Sequence, residues 1–225
     1  GGNAAMMHYH ATPESHAALE KKGFLLVDSG ATYMDGTTDI TRTYPLGPLT
    51  EDEKRFYTWT LQSHIDLAKA VWLDYCECKM IDTIAREPLW RHLINYRCGT
   101  GHSVSFVGNV HEGPHALNSR NTTRMRPGMV VTDEPGVYET DLVGIRIENE
   151  LVCVHKADNQ YGAFLGFEPL MFVPIATSPI LPGVLDKDEI AWLNDYHRQV
   201  FAKLAPHLND EERSWLAEKC AAIGC

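Results

Sequence analysis

Four carboxylates and one imidazole in this chain have the types and spacing that divalent cations require. Asp28 and Asp39 flank a turn signal at Asp35-Gly36, and Glu134 and Glu148 flank a second turn. Residues 23–27 are almost continuously apolar, so Asp28 is expected to end a strand buried on both faces. Asp39 follows on the return strand, where cross-strand neighbours approach within about 5 Å at Cβ. Two close carboxylates in apolar surroundings repel each other and take up a proton unless a cation lies between them. Glu134 and Glu148 repeat the arrangement, because residues 129–131 are apolar and Ile145-Arg146-Ile147-Glu148 alternates like a half-buried strand. His102 lies in a glycine-rich stretch that lets backbone pass close to a ligand. Four acids and an imidazole are a donor set used by dinuclear sites for hard or borderline ions. Each part also has an ordinary reading, since acidic hairpins are common and a single His is usually a surface or core residue.

Two hairpins must position these groups. Residues 23–30 and 37–44 form the first, and residues 137–138 and 144–154 form the second around a polar tip at 139–141. The hairpins echo each other, so two similar halves facing one site would account for the paired acids. Thr50-Glu-Asp-Glu53 predicts a capped helix with apolar positions at Phe56, Trp59, Leu67 and Val71. A second helix is expected over 80–93, loops and short strands over 96–114, and a buried strand over 129–132. Asp186 is expected to cap a helix through Trp192, Leu193 and Tyr196 to Val200, with a last helix near Asn209. No low-complexity tract divides the chain. The expected organisation is a catalytic domain over 1–183 and a helical extension over 184–225 packed on it.

The 225 residues are 44% hydrophobic and 22% charged, which excludes a disordered, collagen-like or membrane-bundle chain. No apolar run reaches membrane-spanning length. With 30 acidic against 20 basic residues the net charge is -10, which disfavours nucleic-acid and anionic-membrane surfaces. The six Cys show no metal-finger spacing and no secretion signal is visible, so reduced thiols are expected. The chain opens Gly1-Gly2-Asn3 without an initiator Met and reads as beginning mid-domain.

Five stretches, in order, carry a family resemblance: Asp28-Ser-Gly-Ala-Thr-Tyr-Met-Asp-Gly-Thr-Thr-Asp39-Ile-Thr-Arg-Thr43, Gly99-Thr-Gly-His102, Val110-His111-Glu-Gly-Pro114, Thr132-Asp-Glu134-Pro-Gly136 and Gly144-Ile-Arg-Ile-Glu148-Asn. Together they closely resemble the catalytic domain of Xaa-Pro aminopeptidases (aminopeptidase P), metallopeptidases of the pita-bread fold. The similarity spans essentially the whole chain, including Phe167-Glu-Pro-Leu170 and Trp192-Leu-Asn-Asp-Tyr196, and looks most like the cytosolic branch. It implies an α+β architecture, with a curved antiparallel sheet, covering helices and pseudo-twofold halves. It also implies that the chain lacks the beginning of the family's catalytic domain, so that apolar surface is exposed.

By that resemblance the metal ligands are Asp28, Asp39, His102, Glu134 and Glu148. They would hold two divalent ions, most often Mn(II), with Zn or Co in related members; the oxygen-rich set suits Mn(II). Such a pair, about 3.5 to 4 Å apart, lowers the pKa of a bridging water and polarises the scissile carbonyl. The resemblance gives Glu134 a part in proton transfer and Asp28 a part in orienting the substrate amine. His111 matches a histidine that steadies the tetrahedral intermediate, and His8 one near the residue after the cleaved bond. Arg146 is expected to contact substrate or to pair with the acids, a structural ion pair being the alternative. Cys98 stands where the family has a histidine lining the proline pocket, and a thiol there is smaller and a weaker donor. His115 has no family role and is expected to face solvent.

The activity implied is hydrolysis of the bond between an N-terminal residue and a following proline by a metal-bridging hydroxide. Its partners would be peptides with proline second, with no nucleic acid or membrane, in a cytoplasmic protein that is a homodimer at full length. The enzymatic alternative is a prolidase, restricted to dipeptides. The alternative of another class is a non-catalytic pita-bread binding module, a group that typically loses ligands kept here.

Overall fold

A computed structural model describes residues 2–224. Strands β1 (Phe24–Tyr33) and β2 (Gly36–Pro45) form the first hairpin as an antiparallel two-stranded sheet. Its register sets Gly30 opposite Asp39 and Asp28 opposite Thr41. Asp28 and Asp39 are thus diagonal neighbours on one face rather than directly opposed. Burial of Asp28 does not follow from the apolar run before it. Strand β1 continues five residues past Asp28, and its residues from Val27 to Tyr33 are exposed, because β2 is its one sheet neighbour.

Eight further strands follow: β3 (Val71–Leu73), β4 (Gly101–Ser103), β5 (Glu112–Leu117), β6 (Val130–Asp133), β7 (Gly136–Glu139), β8 (Val143–Arg146), β9 (Asn149–Asn159) and β10 (Gly162–Pro169). Six of them make an antiparallel sheet in the order β3-β10-β9-β6-β4-β5, while β7 and β8 pair separately as the second hairpin. The expected strand over 144–154 is therefore two strands, broken at Ile147-Glu148. The register of β4 against β5 shifts between His102 and Ser103, an irregularity of the kind that re-aims a side chain.

Helix α1 (Glu51–Ala68) begins with a capping box: the Glu53 N–H donates to Thr50 Oγ1 at 3.2 Å and the Thr50 N–H to Glu53 Oε2 at 2.7 Å. It ends at Ala68, so Val71 falls in β3, where it is exposed. Helix α2 (Cys78–Trp90) stops short of Leu93, whose φ of 59° is left-handed and incompatible with a helix. Asp186 with Glu189, and Asn209 with Glu212, cap α3 (Lys187–Leu204) and α4 (Asp210–Lys219) in the same way. One core joins Leu61 and Ile65 of α1 to Ile145, Ile147 and the α3 residues Leu193, Tyr196 and Val200. A second joins α2 to the large sheet through Ile81, Leu117, Val131, Leu151 and Phe167. Each such side chain contributes about 1.5–3 kcal/mol on burial, so α1 locks the second hairpin and the C-terminal helices into one body. The five cysteines among the described residues are free, and no helix there is long and apolar enough to cross a membrane.

Candidate metal centre

The two glutamates lie outside the strands of the second hairpin, at its roots: Glu134 between β6 and β7, and Glu148 between β8 and β9. These junctions bring them beside β2 and β4. Asp39, His102 and Glu148 each present one potential ligand atom, all within 4.8 Å of one another. His102 Nε2 lies 3.4 Å from Asp39 Oδ2 and 3.3 Å from Glu134 Oε1. Asp28 joins the cluster through Arg146, whose Nη2 is 2.6 Å from Asp28 Oδ2 while Nε is 3.8 Å from Glu148 Oε2 and 4.0 Å from Glu134 Oε2.

Local hydrogen bonds hold each group in place. His102 Nδ1 donates to the Ser103 carbonyl at 3.1 Å, so Nε2 is the nitrogen that faces the acids, and its lone pair becomes free for a cation once the proton it shares with Asp39 leaves. The His102 N–H donates to Thr132 Oγ1 at 2.9 Å, and that hydroxyl donates to Glu134 Oε1 at 2.8 Å. Gly101 permits this contact between β4 and β6, since a Cβ there would lie 1.8 Å from the Thr132 carbonyl oxygen. Thr41 Oγ1 donates to Glu148 Oε2 and accepts from Arg146 Nε at 3.0 Å, while Arg146 Nη1 donates to the Tyr138 hydroxyl at 2.9 Å. Thr41, Thr132 and Tyr138 are absent from the residues expected from sequence. The two threonines stand two positions from Asp39 and Glu134, a same-face spacing that could have marked them; Tyr138 carries no such signal.

The electrostatics are those of crowded acids. Burial, and then the charges of Glu134 and Asp39, push Glu148 well above the usual carboxylate range. Burial likewise raises Glu134, and His102, Thr132 and Arg146 offset it only in part. Burial opposes the charged form of His102, but its hydrogen bond to Asp39 and the Glu134 charge outweigh that and raise its pKa. Carboxylates held this close, around an imidazole lone pair, fit a divalent cation with oxygen and nitrogen donors, because a cation among them removes the repulsion.

Around this cluster, the His111 ring lies 3.7 Å from that of His102, centroid to centroid. Burial and the neighbouring His102 lower the His111 pKa, and exposed His8 adds to the effect. Cys98 is half-buried beside Val137 and Tyr138, and burial, then the Glu134 charge, raise its thiol pKa. His115 does not face solvent. It is buried on β5 with Nε2 2.7 Å from the Val130 carbonyl, because alternate residues of that strand turn into the sheet. Apolar side chains are exposed at Tyr33 and Met34 on the hairpin tip and at Phe106 and Val107 in the loop after β4, where Thr37 Oγ1 donates to the Phe106 carbonyl at 3.5 Å.

Known proteins share this sequence pattern and this fold. The profile of metallopeptidase family M24 matches residues 1–155, and that of the C-terminal region of peptidase M24 matches residues 163–223. Aminopeptidase P1 of Lotus japonicus is 41% identical over 230 residues, covering 100% of this chain and 35% of the relative. Aminopeptidase P2 of Arabidopsis thaliana is 43% identical over 223 residues, covering 96% of this chain and 31% of the relative. The chain thus spans about a third of the length of the curated relatives it matches. Among solved structures, an X-prolyl aminopeptidase from Caenorhabditis elegans, described as a cytosolic enzyme with a di-nuclear active site, superimposes with a TM-score of 0.93. It is 37% identical, over 99% of this chain and 37% of that one. Prolidase from Pyrococcus furiosus gives a TM-score of 0.59 at 27% identity, over 74% of this chain and 45% of that one. The mixed architecture with antiparallel sheets is the pita-bread fold. Acids and imidazole brought together by the first hairpin, β4 and the roots of the second hairpin, within a fold and a profile that agree along most of the sequence, make this chain a member of metallopeptidase family M24.

Proposed function

We propose that this chain is the catalytic part of a metallo-aminopeptidase that cleaves between an N-terminal residue and a following proline. The observation that carries the reading is the convergence of Asp39, Glu134 and Glu148 around the Nε2 lone pair of His102. Asp28, Asp39, His102, Glu134 and Glu148 would hold two divalent ions, with Mn(II) preferred for the oxygen-rich set. Bound there, the ions supply Lewis-acid polarisation of the scissile carbonyl and activation of the attacking water.

The remaining roles belong to side chains. Glu134, held by the Thr132 hydroxyl and set beside His102, takes and returns the proton. His111, kept neutral by burial and by His102, donates a hydrogen bond to the developing oxyanion, and His8 contacts the residue beyond the scissile bond. Arg146 fixes Asp28, which faces the substrate amine. Cys98 lines the proline pocket with Val137 and Tyr138. Residues 1–183 form the catalytic domain and residues 184–225 an extension packed on it, a packing supported by the place of α3 in the first core. A cytoplasmic location is supported by the cytosolic C. elegans enzyme, and a homodimeric full-length protein rests on the family resemblance alone.

The test uses the full-length protein, stripped with a chelator and reloaded separately with Mn(II), Zn(II) and Co(II). Mn(II) is expected to restore cleavage of an Xaa-Pro tripeptide. Cleavage of Xaa-Pro dipeptides alone would make it a prolidase. A folded protein inert with every ion would be a binding module.

A further inference from the structure

Helix α1 carries a histidine that neither the core nor the site accounts for. His64 has no solvent exposure, and the Trp192 ring meets it edge-on at 5.8 Å. Its Nδ1 lies 3.1 Å from Asp133 Oδ2, on a carboxylate that is also wholly buried. Its Nε2 lies 3.3 Å from Asn149 Nδ2.

The neighbours of Asn149 settle which way its amide faces. Asn149 Oδ1 accepts from Arg42 Nη2 at 2.8 Å and from the Tyr196 hydroxyl at 3.2 Å, so Nδ2 is the atom turned toward His64. Nε2 must then accept, and the ring proton sits on Nδ1, toward Asp133. The Nδ1 contact is off line for a full hydrogen bond, and neither Asp133 oxygen has another aligned donor among the described residues. Burying a carboxylate against an imidazole in this way adds little to stability, and apolar residues of similar volume would serve the core as well.

The register shows what the pair touches. Asp133 and Asn149 are directly opposite on β6 and β9 and form the last rung of that ladder. One residue beyond that rung on β6 is Glu134, and one residue before it on β9 is Glu148. Strand ends fray unless something holds them, and any opening of this rung would spread the two glutamates apart.

We propose that His64 is a positioning residue for the metal centre: reaching from α1 to both partners of the last β6–β9 rung, it fixes the spacing between Glu134 and Glu148. The inference rests on the metal-binding reading of those glutamates.

The experiment titrates the metal-free full chain with Mn(II) and reads free Mn(II) by electron paramagnetic resonance. His64→Phe and Asp133→Asn should bind Mn(II) about 10 to 100 times more weakly than the wild type, with unchanged far-ultraviolet circular dichroism. His64→Asn, whose amide nitrogen falls near the Nδ1 position, should recover part of the loss. Should His64→Phe not fold, the isosteric Asp133→Asn decides in the same titration. Wild-type Mn(II) affinity in Asp133→Asn and in folded His64→Phe, even with a lowered melting temperature, overturns the inference and leaves the metal reading standing. A wild-type chain that binds no Mn(II) overturns the metal reading and this inference together.

Discussion

Thr41 and Glu148 are joined twice: the Thr41 hydroxyl donates to Glu148 Oε2, and the Glu148 N–H donates to the Thr41 carbonyl at 3.1 Å. The same hydroxyl accepts from Arg146 Nε, so one oxygen orders an acid and a cation at once. Thr41→Val keeps the shape and removes that oxygen, leaving two buried groups short of a partner. We expect a loss of about 1–3 kcal/mol, read as a lowered denaturant midpoint, and weaker cation binding. A variant with wild-type midpoint and affinity would show that the hydroxyl is dispensable.

Glu134→Gln preserves size and removes the ionisable oxygen that Thr132 and His102 address. Turnover of an Xaa-Pro tripeptide should fall by about 10²–10⁴ with KM nearly unchanged, as for removal of a general base. Undiminished kcat would take Glu134 out of the proton-transfer role.

Gly101→Ala drives a methyl group into the Thr132 carbonyl. Strands β4 and β6 must separate, and His102 moves with β4. The expected loss is about 2 kcal/mol, or roughly 5 °C in Tm for a chain of this size. Differential scanning calorimetry of the metal-free protein measures it, and an unshifted Tm would mean that the strands yield freely.

Acid should weaken the fold through His197. Burial first, and then the Arg42 charge, hold its pKa down at about 4, while Nε2 accepts the Ile175 N–H at 3.1 Å. The unfolded chain takes up this proton near pH 6.5, before the folded chain does. The contribution of His197 is therefore complete above pH 6.5 and declines as the pH falls toward 4, by roughly 3 kcal/mol in all. His197→Gln, compared with wild type by guanidinium unfolding at pH 7 and pH 4.5, should flatten that decline. Parallel curves for the two proteins would contradict it.

The signals that proved legible in the sequence were local ones. Thr50 with Glu53, and Asp186 with Glu189, make their capping bonds within one helical turn, so reading the neighbouring residues was sufficient. Asp39, His102 and Glu148 stood out by residue type and spacing, and the fold brings them together. Asp28 was misread as buried because an apolar run shows only that a strand is sticky, not that a second layer covers it. His115 was misread for the opposite reason, since its glycine- and proline-rich surroundings look like a surface loop while the sheet turns it inward. Thr41, Thr132 and Tyr138 act across the β2–β8, β4–β6 and β7–β8 neighbourhoods, and their partners exist only once the register does.

The delivery of the site by β2, β4 and the two roots of the second hairpin has a consequence for how the chain reaches and keeps its native state. No short stretch contains more than two of the five acids and imidazole, so a partly folded chain has no complete cage and gains little from a cation. Such long-range closure belongs to the slow, high-contact-order part of folding. Cation binding therefore acts by mass action on the finished structure alone, adding about 2.7 kcal/mol when the free ion stands at a hundred times its Kd. Free cation concentration thus becomes a control on how long each molecule stays folded.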